Sequence, residues 1–343
     1  MLNKITFRKF TAFEELTLNF SHGINVFIGE NGTGKTHVLK TLYSSCEFSM
    51  ADGGFAQKIN NVFSPSGKQI GRLVKRAVGR QTGTVEIRRA EEEMRRPLSL
   101  KLSVSSNFKL PRQATAMGEQ RWSEQPPSAV YIPVKDMLAN SKGFGSLYEA
   151  REISFEEVYV DIIRKALLPP LKGPTDSLRR TLLKKIKDVI DGTVGVRDEE
   201  FFLYRPGGNL EFALLAEGYR KLGLLMVLIQ NGTLSRGSAL FWDEPEANLN
   251  PKLMRCVIEI LLELQRSGVQ IFLATHNYVL LKELDLQATN ENDILYHSLF
   301  VGDSGEIAAS STVDYMEIDP NPIDETFDDL LERDIDRSIE GSA

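Results

Sequence analysis

Short apolar runs alternate with amphipathic stretches along this chain. Met1-Leu2-Asn3-Lys4-Ile5 enters a strand pattern, and Ile24-Asn25-Val26-Phe27-Ile28 is an apolar β-type run followed by a helix-compatible stretch from Lys35 to Tyr43. Residues 51–125 read as irregular, rich in Gly, Ser, Gln and Arg, with β-like runs at Thr84–Ile87 and Leu98–Leu102. Ala129–Pro133 reads as a short buried strand. Residues 143–192 read as mostly helical, broken at Pro169-Pro170 and Gly173-Pro174. Phe212 to Ile229 carries apolar residues at helical spacing. A strand (Ala239–Trp242), a helix (Pro251–Gln265), a strand (Val269–Ala274) and another helix follow. Strands alternating with helices predict an α/β fold with a largely parallel sheet. Neither an internal repeat nor a long heptad run is visible.

The chain is longer than one small core needs. The expected division is an N-terminal lobe over residues 1–142 with an irregular basic insertion and a helical insertion over 143–210. A C-terminal lobe over 211–312 and an acidic helix or tail over 313–343 complete it.

One loop carries recognisable chemistry. Gly29-Glu30-Asn31-Gly32-Thr33-Gly34-Lys35-Thr36 fits G-x-x-x-x-G-K-[ST], between a strand and a helix. Its glycines let backbone N–H groups turn inward around phosphate oxygens, at a helix N-terminus that favours anions. Lys35 would reach the β- and γ-phosphates, and Thr36 would offer its hydroxyl to Mg²⁺. Ala239-Leu240-Phe241-Trp242-Asp243-Glu244-Pro245 is an apolar strand ending in two carboxylates. Asp243 can hold the Mg²⁺ shell, and Glu244 can orient or deprotonate a water attacking the γ-phosphate. The strand Val269–Ala274 ends in Thr275-His276-Asn277, which places His276 beside the acid pair as a γ-phosphate sensor.

These residues together resemble the ABC-type ATPase domain. More narrowly they resemble the soluble RecF/SMC/OLD-like branch, whose opening strands are similar to Ile5–Phe10 and Phe13–Leu18. The resemblance spans most of residues 1–300 and is weak over 51–210. It implies a P-loop NTPase fold with ATP and Mg²⁺ as cofactors. It implies that Gly29, Glu30, Asn31, Gly32, Thr33, Gly34, Lys35, Thr36 and His37 bind nucleotide, with Gly218 of the signature, and that Thr36 and Asp243 hold the metal. Glu244 becomes the catalytic carboxylate, acting with Lys35 and with His276 as the switch histidine. Glu246 to Pro251 falls at the D-loop.

Two family features are altered. At the signature, Ala216 stands at the serine position and only Gly218 of the glycines is kept; Arg220 or Lys221 could supply replacement charge. A hydroxyl bond to a charged phosphate is worth roughly 1.5–3 kcal/mol, so a slow ATPase is expected. At the Q-loop no glutamine follows Val130–Pro133, and Lys135 or Asp136 is a candidate for that role. Phe10 or Arg8 could lie near the nucleotide, although Phe7, Phe10 and Phe13 also read as core.

The resemblance further implies a homodimer closed on two ATP molecules and a separately encoded effector, a nuclease or toxin as in bacterial anti-phage defence. A RecF-like DNA repair factor and a transporter subunit are the rival readings. Overall charge is -6, and Cys46 and Cys256 form no close-spaced pair, as in a reduced cytoplasmic protein. No run suits a membrane span. Basic residues crowd 68–112 (Lys68, Arg72, Lys75, Arg76, Arg80, Arg88, Arg89, Arg95, Arg96, Lys101, Lys109, Arg112), interrupted by Glu86, Glu91, Glu92 and Glu93. A second basic group is Arg179, Arg180, Lys184, Lys185 and Lys187. These are solvated faces or contacts for a nucleic-acid backbone. The C-terminal stretch is acidic, with Ile323, Phe327, Leu330 and Leu331 at helical spacing. An amphipathic helix docked on the body or on a partner is expected there.

Overall fold

A computed structural model describes residues 1–90, 97–151, 155–173, 176–290 and 293–340. A hairpin of β1 (Leu2–Phe10) and β2 (Phe13–Asn19) leads into β3 (Ile24–Ile28), α1 (Lys35–Cys46) and α2 (Gly54–Phe63). Then come β4 (Thr82–Arg89), β5 (Leu98–Ser105), β6 (Thr115–Met117), α3 (Glu119–Ser123) and β7 (Ala129–Ile132). The middle of the chain forms α4 (Phe144–Arg151), α5 (Glu157–Ala166) and α6 (Ser177–Ile190), followed by the strands β8 (Thr193–Arg197), β9 (Glu200–Arg205) and β10 (Gly208–Glu211). The last third is α7 (Glu217–Gln230), β11 (Ala239–Asp243), α8 (Pro251–Arg266), β12 (Gln270–Ala274), α9 (Tyr278–Gln287), β13 (Ile294–Val301), β14 (Ile307–Thr312) and α10 (Pro322–Glu340).

The central sheet has six strands in the order β14-β13-β3-β12-β11-β7, parallel except for β14. Strand alternation sorts its side chains into two cores. Val26, Val130, Leu240, Trp242, Ile271 and Leu273 face helices α6 to α9. Phe27, Tyr131, Phe241 and Phe272 face α1, α2 and a second sheet. That second sheet is antiparallel, β2-β1-β4-β5-β6, so the molecule is a layered α/β structure with a mixed sheet at its centre.

Two expectations are corrected. Residues 51–125 are not an irregular insertion, because β4 and β5 pair along their whole length and join the opening hairpin through β1. The alternating Thr-Val-Glu-Ile-Arg and Leu-Ser-Leu-Lys-Leu patterns each bury one face there. Residues 143–210 are not wholly helical either, since 193–211 forms an antiparallel meander β10-β9-β8 whose Val194, Phe201 and Leu203 enter the same core as α7. Pro174, Glu91, Glu92, Glu93, Arg95 and Arg96 lie outside the described residues.

The basic run over 68–112 is partly structural. Arg89 is buried, donating to the carbonyls of Gln125 and Trp122 with its guanidinium over the Trp122 ring. Lys75 pairs with Glu306, and Arg88 with Glu86.

Candidate nucleotide site

The carboxyl ends of β3, β12, β11 and β7 come together at one end of the central sheet, which is where open α/β sheets bind ligands. Register aligns them: Phe27 lies opposite Ala274, Ala274 opposite Asp243, and Trp242 opposite Ile132. The phosphate-type loop, the acid pair, His276 and the exit of β7 therefore meet, although they are far apart in sequence.

Residues 29–34 turn through left-handed backbone at Gly29 (φ 133°), Gly32 (φ 88°) and Gly34 (φ 91°). At Gly29 a Cβ would stand 2.0 Å from the Leu299 carbonyl oxygen, so only glycine lets the loop approach β13. Lys35 Nζ donates to the carbonyls of Gly29 (2.7 Å) and Glu30 (2.8 Å), which holds its ammonium across the loop. Burial lowers its pKa, against the opposing pull of Asp243, Glu244, Glu246 and Glu30. Thr33 is tied to Glu30 O through its hydroxyl, while Glu30 and Asn31 are exposed at the loop tip.

Thr36 Oγ1 donates to Asp243 Oδ1 at 3.2 Å, and Tyr131 OH donates to Asp243 Oδ2 at 3.0 Å. Asp243 is 4% exposed, and burial raises its carboxyl pKa. A hydroxyl beside a fixed, desolvated carboxylate is the hard-oxygen donor set that suits Mg²⁺. With a lysine ammonium and glycine-built N–H groups beside it, the residues fit a nucleoside triphosphate and its ion. Such an ion would supply charge neutralisation on the phosphate oxygens.

Glu244 sits just past β11 with φ 48°, uncommon for a residue with a side chain. Its Oε1 is 3.6 Å from His276 Nδ1, and the half-exposed His276 lies equally near Glu246, at 3.8 Å. Glu246 was placed only as part of the D-loop by sequence. In the structure its buried Oε1 accepts from Thr275 Oγ1 (2.8 Å) and from the His276 backbone N–H (3.2 Å), fixing the histidine's segment. Burial raises its pKa. Tyr131 was likewise missed as a site residue; its signal was a polar tip on an otherwise apolar strand.

Other expected residues fall elsewhere. The His37 side chain turns to the Phe63 ring (5.5 Å), and burial, then Lys40, lowers its pKa to about 4. Its imidazole is therefore no cation for phosphate, and only its backbone at the start of α1 can serve the nucleotide. Phe7, Phe10 and Phe13 are fully buried core, and Arg8 pairs at the surface with Glu15. Gly218, buried near the start of α7, packs on the segment before α8 and on α8 itself: a Cβ would stand 3.1 Å from Leu249 Cδ1 and 3.4 Å from Leu253 Cδ1. Arg220 and Lys221 do not offer spare charge. Arg220 Nε pairs with Asp136 at 2.7 Å and its Nη1 donates to Phe212 and Leu215 carbonyls. Lys221 Nζ is buried among the carbonyls of Glu244, Pro245 and Ala247. Of the two Q-loop candidates, Asp136 is the one that touches the signature helix.

Fold and site together define an AAA-family P-loop ATPase domain, with a fold shared with Smc heads. The chain belongs to the family described as "AAA domain, putative AbiEii toxin, Type IV TA system", whose model matches residues 24–282. A stretch of 45 residues is 47% identical to the DNA replication and repair protein RecF of Cytophaga hutchinsonii, covering 13% of this chain and 12% of that protein. Another 42-residue match is 36% identical to RecF of Streptococcus gordonii and covers 12% of each. In three dimensions the chain resembles an Smc head bound to the C-winged helix domain of ScpA, with TM-score 0.58 and 13% identity, over 92% of this chain and 99% of that one. It also resembles an Smc head with an extended coiled coil bound to the C-terminal domain of ScpA derived from Pyrococcus furiosus, with TM-score 0.53 and 11% identity, over 96% and 98%. At these identities the structural likeness carries the fold alone. Among the described residues no helix is long and apolar enough to cross a membrane.

Proposed function

We propose that the protein binds ATP with Mg²⁺, hydrolyses it slowly, and closes as a homodimer around two nucleotides to switch a separate effector. A nuclease or toxin in a bacterial defence system is the proposed effector. The reading rests on one observation: Thr36, Asp243, Glu244 and His276 converge at the end of one sheet beside the Lys35 loop. Lys35 supplies positive charge to the phosphates, Thr36 and Asp243 hold the ion, and Glu244 takes the proton of the attacking water. His276, its segment fixed by Glu246, would sense the γ-phosphate. The missing signature hydroxyl at Ala216, with Arg220 and Lys221 held inward, supports slow turnover and an output that depends on the closed shape. Membership of a family that includes a putative toxin of a type IV TA system supports a place in a toxin-type defence system.

The test is steady-state hydrolysis and mass in solution. Glu244→Gln should cut turnover about 10²-fold or more while accumulating a dimer with ATP and Mg²⁺. Lys35→Ala should lose ATP binding. Unchanged turnover in Glu244→Gln sinks the assignment. The local likeness to RecF keeps a second reading, an ATPase acting on DNA; salt-sensitive, ATP-dependent DNA binding by the purified chain would favour it.

A further inference from the structure

The last helix carries two parallel rows of side chains at a spacing of four, which wind slowly round it. Ile323, Phe327, Leu331, Ile335 and Ile339 form one, and Asp324, Asp328, Glu332 and Asp336 form the next. Residues four apart lie along one ridge of a helix. The apolar ridge is seated only at its start. Ile323 is buried and Phe327 stacks on Tyr278 at 4.3 Å, while Leu331, Ile335 and Ile339 are 60%, 49% and 65% exposed. Residues 322–339 hold seven carboxylates and two arginines. A helix anchored by its first turns alone draws little stability from packing, so the bare ridge calls for a cover.

A matching surface stands on the same chain. Helix α6 carries five cations and one carboxylate, Asp188. Its core row, Leu182, Ile186 and Ile190, is buried. The exposed Lys184 and Lys187 line, with Arg180, an open groove of about 430 Å³ whose apolar surface is the half-buried Leu183, above the already buried Met226. Lys185 turns away to Glu259 at 2.7 Å. A second depression shares Lys187 with it and is of mixed charge, lined also by Arg205, Asp188 and Asp191.

We propose that α10 of one copy lies in the α6–α7 groove of a second copy, and the second returns the contact. Leu331 and Ile335 of the apolar ridge cover Leu183, and the acidic ridge faces Lys184 and Lys187. Charge complementarity selects this occupant: two α10 helices side by side would set acidic rows against each other, whereas acidic α10 on basic α6 pairs opposite signs. A reciprocal contact of this kind closes into a two-fold dimer. None of the nucleotide-site residues takes part, so this assembly is distinct from closure on ATP.

The test uses the full chain carrying Lys35→Ala, without nucleotide, followed by sedimentation equilibrium at low and high salt. The mass should be that of two chains at low salt, with the apparent dissociation constant rising about tenfold or more at high salt. Two variants reverse the ridges: Asp328→Lys with Glu332→Lys and Asp336→Lys, and separately Lys184→Glu with Lys187→Glu. Each alone should run as a single chain, and an equal mixture should return to the two-chain mass, because both contacts in the mixed pair are again complementary. A parent chain that stays single, a reversed variant that keeps the two-chain mass, or a mixture that fails to restore it overturns the proposal.

Discussion

Burial holds two histidines neutral. His297 packs against the Phe27 ring at 4.9 Å, shares a hydrogen bond with the Ser311 hydroxyl, and has its pKa lowered to about 3; His37 is lowered to about 4. An unfolded histidine titrates near 6.5. Below that pH the unfolded chain takes up protons the folded chain refuses, so these residues contribute stability that is present above pH 6.5 and lost as pH falls toward 4. Asp136, Asp243 and Glu246, raised by burial, act with the opposite sign. Replacing His297 isolates its share. His297→Phe should flatten the dependence of unfolding free energy on pH between 6 and 4 by about 1 kcal/mol per unit, read from urea titrations. Equal slopes in the two proteins would contradict a neutral, buried ring. At this scale the sequence exposed Lys35, Thr36, Asp243, Glu244 and His276, because a phosphate loop and an acid pair need fixed residue types at fixed spacing. It did not expose Tyr131 or Glu246, whose roles are contacts to residues over a hundred and about thirty positions away.

The strand exit and the helix that carry Asp136 and Arg220 show what an element adds. Asp136 follows β7 and Arg220 lies in the first turns of α7; their 2.7 Å pair is largely buried and ties the strand exit to the signature helix. Breaking one side leaves a buried charge. Arg220→Met should cost about 3–5 kcal/mol in denaturant unfolding, and Asp136→Leu in the same chain should recover most of it. Additive losses in the double variant would mean the two side chains do not act as a pair. Periodicity located the strands and helices around the site, since a short apolar run flanked by Gly or Pro reads as a buried strand wherever it falls. The β4–β5 ladder was harder to see. Its strands are amphipathic and charged on one face, and their pairing with β1 is non-local, so only the assembled sheet shows which face is covered.

At the scale of the whole molecule, the proposed output is a closed dimer, and on that proposal the residue at position 216 sets how readily it forms. Ala216 is exposed at the cap of α7, so a hydroxyl there meets no steric conflict. In a Glu244→Gln background, Ala216→Ser should tighten ATP-driven dimerisation about tenfold, as measured by light scattering against protein concentration. No change would place the nucleotide's second contact elsewhere than α7. The sequence by itself determined the phosphate-type loop, the acid pair and the α/β architecture, because these are written in short patterns whose meaning is local: glycines where φ must be positive, acids at the end of an apolar strand, a period that selects helix or strand. Only the tertiary structure decided that Arg220, Lys221 and Gly218 serve packing within one chain, that His37 is a neutral ring against Phe63, and that the last helix is bare beyond its first turns. Those outcomes depend on which surfaces meet after folding, and burial and partnership are properties of pairs of distant segments that no single stretch contains.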